Sequence, residues 1–176
     1  MSKLNAFQNS SVRRTVGAAM MAAIVCAATL IHVPLPVVGY IHVGDAFVLL
    51  SGFLFGSAFG FGAAALGSML ADLLLGYVAY APATFVIKGI VALLSALLCR
   101  RVKANGMKGW LLLFAFALIA ECVVVGGYFV FEWLFYGTLS SALPGLFFNV
   151  VQGVIGALLA ALLMPQTRKM RFVSRF

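Results

Sequence analysis

The side chains in this sequence that could do chemistry are few, and most lie inside apolar runs. Asp45, Asp72, Glu121 and Glu132 are its four acids, His32 and His42 its two histidines, and Lys88 is a base standing alone in an apolar stretch. Glu121, Val125, Tyr128 and Glu132 fall at i, i+4, i+7 and i+11, one face of a helix, so two carboxylates and a phenol point the same way. Thr84, Lys88 and Ser95 share a second face, and Asn149 and Gln152 a third, with Gly153 and Gly156 leaving room beside them. A charged group at the centre of a bilayer costs about 3 kcal/mol unless it is paired or turned inward, so these residues are candidates either for a binding site or for fixing helices together.

Other chemistries are excluded by missing patterns. No GxxxxGK[ST] run occurs to cradle ATP phosphates, and Gly60-Phe61-Gly62 does not extend to a dinucleotide fingerprint. His32 and His42 flank a proline-rich turn without HExxH or clustered Cys/His, so no metal or other cofactor is expected. No GxSxG matches a Ser/His/Asp hydrolase. Cys26, Cys99 and Cys122 sit singly in apolar surroundings, as small buried residues rather than a redox pair. An enzyme is not expected.

The elements that must position these groups follow from composition. Hydrophobic residues make up 64% of the 176, charged residues 9%, and mean hydropathy is +1.13. Soluble domains carry about 25% charged residues, so this is a membrane protein. Hydropathy and punctuation predict six spans, at 13–32, 44–56, 58–78, 82–99, 110–134 and 142–164, an all-α polytopic bundle forming a single membrane domain over 1–176. The first run is long for a secretory signal and reads as a retained helix. Eleven of the twelve bases are terminal or in one loop: Lys3, Arg13 and Arg14, then Arg100, Arg101, Lys103 and Lys108, then Arg168, Lys169, Arg171 and Arg175. Six crossings put all three groups on one side, and the positive-inside rule makes that side, with both termini, cytoplasmic. The net charge of +8 is therefore a topology signal and not a nucleic-acid footprint.

Two connections stand out as covers for a site: residues 33–44, whose Pro34, Pro36, Gly39, Tyr40 and His42 cannot continue a helix, and residues 136–145, with Gly137, Pro144 and several hydroxyls. Gly52, Gly56 and Gly60 recur every four residues and continue through Ala64, Ser68, Asp72 and Gly76, a small-residue seam along which helices approach closely; spans two and three could be a broken pair. At 1.5 Å per residue from the outer end, Lys88, Asn149 and Asp72 lie about 10 Å deep, Gln152 about 15 Å, Glu132 within about 5 Å and Glu121 about 20 Å. Convergence in the outer half favours an outward-opening pocket between spans four, five and six over a pore. The competing reading is interhelical packing, with Lys88 ion-paired to Asp72 or Glu132.

Four ordered motifs carry a resemblance: the run Gly44-Asp45-Ala46-Phe47-Val48-Leu49-Leu50-Ser51-Gly52, then Ala71-Asp72-Leu73-Leu74-Leu75-Gly76-Tyr77, then Pro82-Ala83-Thr84-Phe85-Val86-Ile87-Lys88-Gly89, then Asn149-Val150-Val151-Gln152. Over essentially its whole length the chain resembles the membrane-embedded substrate-binding S components of energy-coupling factor (ECF) vitamin transporters, closest to the riboflavin-type branch with its proposed hydroxymethylpyrimidine and pyridoxine carriers. The resemblance implies a six-helix subunit in the plasma membrane of a prokaryote. It would capture a small water-soluble vitamin or precursor from outside, with a transmembrane scaffold (T) subunit and two cytoplasmic ATPase (A) subunits as partners. The polar positions read above, with the loop at 33–44, make the candidate substrate-binding residues Tyr40, His42, Asp72, Tyr80, Thr84, Lys88, Glu121, Tyr128, Glu132, Asn149 and Gln152. The family's AxxxA scaffold contact matches Ala18/Ala22 and Ala19/Ala23 equally well. The start Met1-Ser2-Lys3 lacks the histidine of nickel and cobalt S components. Asp72, Glu121 and Glu132 against Lys88 disfavour a polyanion such as a folate, and a small neutral or basic heteroaromatic fits better, stacked on Tyr40, Tyr80, Tyr128 or Trp133. Alternatives are riboflavin or another vitamin as substrate, or a self-sufficient carrier or channel.

Overall fold

The computed structural model describes residues 2–34, 40–103 and 105–168. Five helices, α1 (Ser2–Leu30), α2 (Asp45–Leu75), α3 (Ala81–Leu98), α4 (Gly106–Tyr136) and α5 (Leu139–Arg168), are accompanied by a two-stranded hairpin, β1 (His32–Pro34) and β2 (Tyr40–His42). All five have stretches long and apolar enough to cross a membrane.

The expectation of six separate spans meets a chain in which the second and third are one helix with a break. Gly56 has φ 79° and ψ −169°, a conformation nearly confined to glycine. The two segments turn back on each other there: Ser51 Oγ donates to the Gly60 carbonyl at 3.1 Å, although nine residues of continuous helix would separate them by about 13 Å. Gly52 and Gly60 therefore face each other across the break and do not line one seam. Two further close approaches hold the first segment. A Cβ on Gly52 would overlap the Ala92 carbonyl of α3, and Ser95 Oγ on α3 donates to the Leu49 carbonyl at 2.6 Å. In lipid such backbone proximity is what binds helices, because apolar burial distinguishes little between a neighbour and an acyl chain. The turn at Gly56 lies beside Arg100, at the end of the bundle that carries the α3–α4 connection and its bases.

At the opposite end, glycines in the left-handed conformation stop two helices. Gly76 (φ 85°) ends α2, and Gly137 (φ 73°) ends α4 with its N–H on the Trp133 carbonyl at 2.9 Å. The described ends of the 33–44 connection are regular: β1 and β2 pair antiparallel, His32 opposite His42 and Pro34 opposite Tyr40. Pro34 is admitted because it closes a short edge strand. The second expected cover is corrected, since α5 starts at Leu139 and Pro144 lies within it. Pro36 and Gly39, and Lys169, Arg171 and Arg175 of the basic tail, lie outside the described residues. Between the two ends the bundle is filled by Val25, Val48, Leu49, Val91, Ala117 and Val124, all fully buried.

Candidate functional site

At the end away from the α3–α4 bases, the hairpin and all five helices surround a partly open cavity. Thr29 enters from the last turn of α1, and Tyr40, Ile41 and His42 from β2. Ser68 and Asp72 stand one turn apart on α2, while Tyr77 and Tyr80 come from the α2–α3 connection and Thr84 from the first turn of α3. Tyr128 and Glu132 face in from α4, and Gly145, Phe148, Asn149 and Gln152 from α5.

Two contacts seat the hairpin over this space. The Tyr40 hydroxyl donates to Asp72 Oδ1, and the His42 backbone N–H donates to Gln152 Oε1 at 2.9 Å. Burial, and then the neighbouring Asp72 carboxylate, push the Tyr40 phenol above its ordinary range and keep it a donor. His42 Nδ1 accepts the Gly44 N–H at 2.9 Å, and burial lowers this imidazole to about 4, so it is neutral at physiological pH. The walls are aromatic: ring centroids run Tyr40 to Tyr77 at 4.9 Å, Tyr77 to Tyr80 at 6.2 Å and Tyr80 to Tyr128 at 6.5 Å. Thr84 Oγ1 and the Tyr128 hydroxyl share a hydrogen bond of 2.8 Å.

Beneath the cavity lies a closed polar floor. Lys88 Nζ donates to Asp45 Oδ1, and Gln152 Nε2 donates to Asp45 Oδ2 at 2.7 Å. The chain from His42 through Gln152 and Asp45 to Lys88 thus ties the hairpin, α5, α2 and α3 at one point. Above it the wall is incompletely satisfied: Thr29 Oγ1, Ser68 Oγ, Asp72 Oδ2 and Glu132 Oε2 are buried without a hydrogen-bond partner among the described residues, and all four belong to residues lining the cavity. Buried polar atoms are seldom left so. A small molecule with donors and acceptors on its edge would complete them.

A family model described as the ECF-type riboflavin transporter, S component, matches residues 9–169. The chain belongs to that family. A solved structure described as the S component of a bacterial ECF transporter superposes with a TM-score of 0.67 at 21% identity, covering 90% of this chain and 96% of that one, so the fold is shared. No curated protein matches the sequence. The protein is accordingly a multi-pass, substrate-binding subunit of an ECF transporter, and not a catalytic one.

In this S component nine of the eleven residues expected at the site line the cavity: Tyr40, His42, Asp72, Tyr80, Thr84, Tyr128, Glu132, Asn149 and Gln152. Lys88 and Glu121 do not. Lys88 is occupied by Asp45, which corrects the expected pairing with Asp72 or Glu132, because the first turn of α2 packs against α3 deeper than either acid. Glu121 lies about 10 Å below Tyr128 along α4, against Gly153, with neither carboxylate oxygen bonded among the described residues. Trp133 is exposed and takes no part in the wall. Thr29, Ile41, Ser68, Tyr77, Gly145 and Phe148 were not anticipated there. Ser68 precedes Asp72 and Phe148 precedes Gln152 by one helical turn, so extending each helical face by a turn would have found them.

On α1, Ala18 is buried, Ala22 half-buried, and Ala19 and Ala23 exposed. A Cβ on Gly67 of α2 would meet the Ala22 carbonyl, so the Ala18/Ala22 side is the one engaged inside the subunit.

Proposed function

We propose that this S component captures a small heteroaromatic vitamin or vitamin precursor from outside the cell, in the cavity beneath the β1–β2 hairpin. It would deliver that cargo to a transmembrane scaffold subunit and two cytoplasmic ATPases. The observation that carries the reading is the enclosure of aromatic and unsatisfied polar groups at the end of the bundle away from the α3–α4 bases. With that basic end cytoplasmic, in the plasma membrane of a prokaryote, the cavity opens outward. Counting the two segments of α2 as separate passes gives six crossings in one membrane domain and puts both termini on the cytoplasmic side.

Below the floor Leu49, Val91 and Ala117 are fully buried around a single acid, Glu121, which fits a binding pocket better than a channel. The site residues are the nine named above, with Lys88 holding the floor. Mass spectrometry of the small molecule retained by the purified protein tests the reading directly, together with ligand-induced thermal stabilisation. A retained heteroaromatic and copurified ATPase and scaffold subunits are expected. Uptake into liposomes by the solitary protein without ATP would overturn it in favour of a self-sufficient carrier.

A further inference from the structure

The chain has four acids, and all four are buried within this bundle: Asp45, Asp72, Glu121 and Glu132 are 0%, 3%, 2% and 3% exposed. One base, Lys88, is buried with them, and it is spent on Asp45. Asp72 and Glu132 stand on the cavity wall without an ion-pair partner among the described residues, each keeping one carboxylate oxygen without a hydrogen-bond partner. His42 supplies no countercharge, since its Nδ1 accepts the Gly44 N–H. An uncompensated buried carboxylate is costly, so at each of these two acids the missing charge is brought by a proton or by a cationic ligand that displaces it.

The wall between these acids carries Tyr40, Tyr77, Tyr80 and Tyr128, each ring within 4.9 to 6.5 Å of the next. Ring faces attract cations, and Tyr128 already holds the Lys88 ammonium 5.4 Å from its centroid on the floor side. Gly145 adds a steric detail. A Cβ there would lie 2.8 Å from Glu132 Cδ, so the glycine makes room for the carboxylate at the wall.

Resting on the vitamin-capture reading, we propose that the cavity selects a cationic aromatic ligand: a ring protonated on nitrogen, or one bearing an ammonium group, with N–H donors for Asp72 and Glu132. Matched pairs isolate the charge. Pyridoxamine and pyridoxine differ by an ammonium in place of a hydroxyl, as do the aminomethyl analogue of hydroxymethylpyrimidine and hydroxymethylpyrimidine itself, and riboflavin serves as an uncharged ring. Calorimetric titration of the purified protein should show the cationic member of at least one pair binding about 10-fold or more tighter than its neutral partner, and tighter than riboflavin. That preference should shrink several-fold in Asp72→Asn and Glu132→Gln, and also in Gly145→Ala, which keeps both charges but displaces Glu132. Ligand-free melting of each variant checks folding. Equal or tighter binding of the neutral members or of riboflavin would overturn the cation assignment while leaving vitamin capture standing, as would a preference that survives all three substitutions. Absence of binding by every compound to folded protein would overturn the vitamin-capture reading, and the cation assignment with it.

Discussion

Lys88 and Asp45 form a wholly buried ion pair, and Gln152 donates to the second oxygen of the same carboxylate. Removing one partner of such a pair leaves the other charge stranded. Lys88→Met should therefore destabilise the ligand-free protein by about 3–5 kcal/mol, read as a fall in melting temperature in detergent. The double variant Asp45→Leu/Lys88→Met should recover much of that loss. If Lys88→Met melts like the wild type, the pair contributes nothing to the floor.

Asn149 and Gln152 lie one turn apart on α5 and should behave differently. Gln152 bridges the His42 N–H and Asp45, so Gln152→Leu breaks two hydrogen bonds that seat the hairpin; melting temperature should drop and ligand dissociate faster. Asn149 lines the cavity, and its side chain makes no hydrogen bond to another described residue. Asn149→Leu should leave melting nearly unchanged and weaken binding by about 1–3 kcal/mol through a ligand atom left unpaired. Identical profiles for the two variants would contradict this division.

Much of the cavity was legible in the sequence because a polar side chain inside an apolar helix has few reasons to be there. Helical spacing put Tyr128 with Glu132, and Asn149 with Gln152, on faces that do line it. Asp45 escaped because it stands at the first residue of α2, where an acid reads as a favourable end charge. The partner of Lys88 depends on the relative depth of α2 and α3, a tertiary fact that hydropathy does not carry. The glycine spacing signalled close packing correctly but could not tell a seam along one helix from a face-to-face approach across a break. That distinction rests on the φ of Gly56. The hairpin was hidden by Pro34 and Pro36, which argue locally against strands.

Gly56→Ala forces a side chain into a backbone conformation it rarely adopts, at φ 79°, and should cost about 1–3 kcal/mol. Gly52→Ala should be worse, because its Cβ would meet backbone of α3 rather than a side chain able to move. Yield of monodisperse protein and melting temperature measure both. Gly62→Ala, with open space at its Cβ, is the control and should be silent.

His42 gives the hairpin a pH dependence. Its imidazole is held neutral at about 4, below the ordinary 6.5, so the loosened state takes up a proton more readily than the seated one. The contribution is complete above 6.5 and is lost as pH falls toward 4. Between about pH 7 and about pH 5 the ligand-free wild type should therefore lose thermal stability relative to a variant with no titrating group at position 42. His42→Asn, whose side-chain oxygen can accept the Gly44 N–H without titrating, should lose less over the same interval. The buried Asp45–Lys88 pair and His32 on the partner strand are unchanged in the variant, so the difference between the two curves isolates His42.

The two alanine pairs of α1 separate by exposure. Ala18 is 8% exposed and Ala22 packs its backbone on Gly67, so tryptophan at either presses on α2 beside the groove that both alanines line and should lower stability of the isolated subunit. Ala19 and Ala23 are exposed. Tryptophan there should leave melting and ligand affinity as in the wild type, since neither alanine lines the cavity, yet block close approach of a partner helix. The expected result for Ala19→Trp and Ala23→Trp is intact vitamin binding by the purified subunit, with copurification of the scaffold and ATP-driven uptake both lost. Normal uptake by both variants would show that the scaffold docks on another face, and normal melting of Ala18→Trp would show that the α1–α2 contact is looser than its geometry implies.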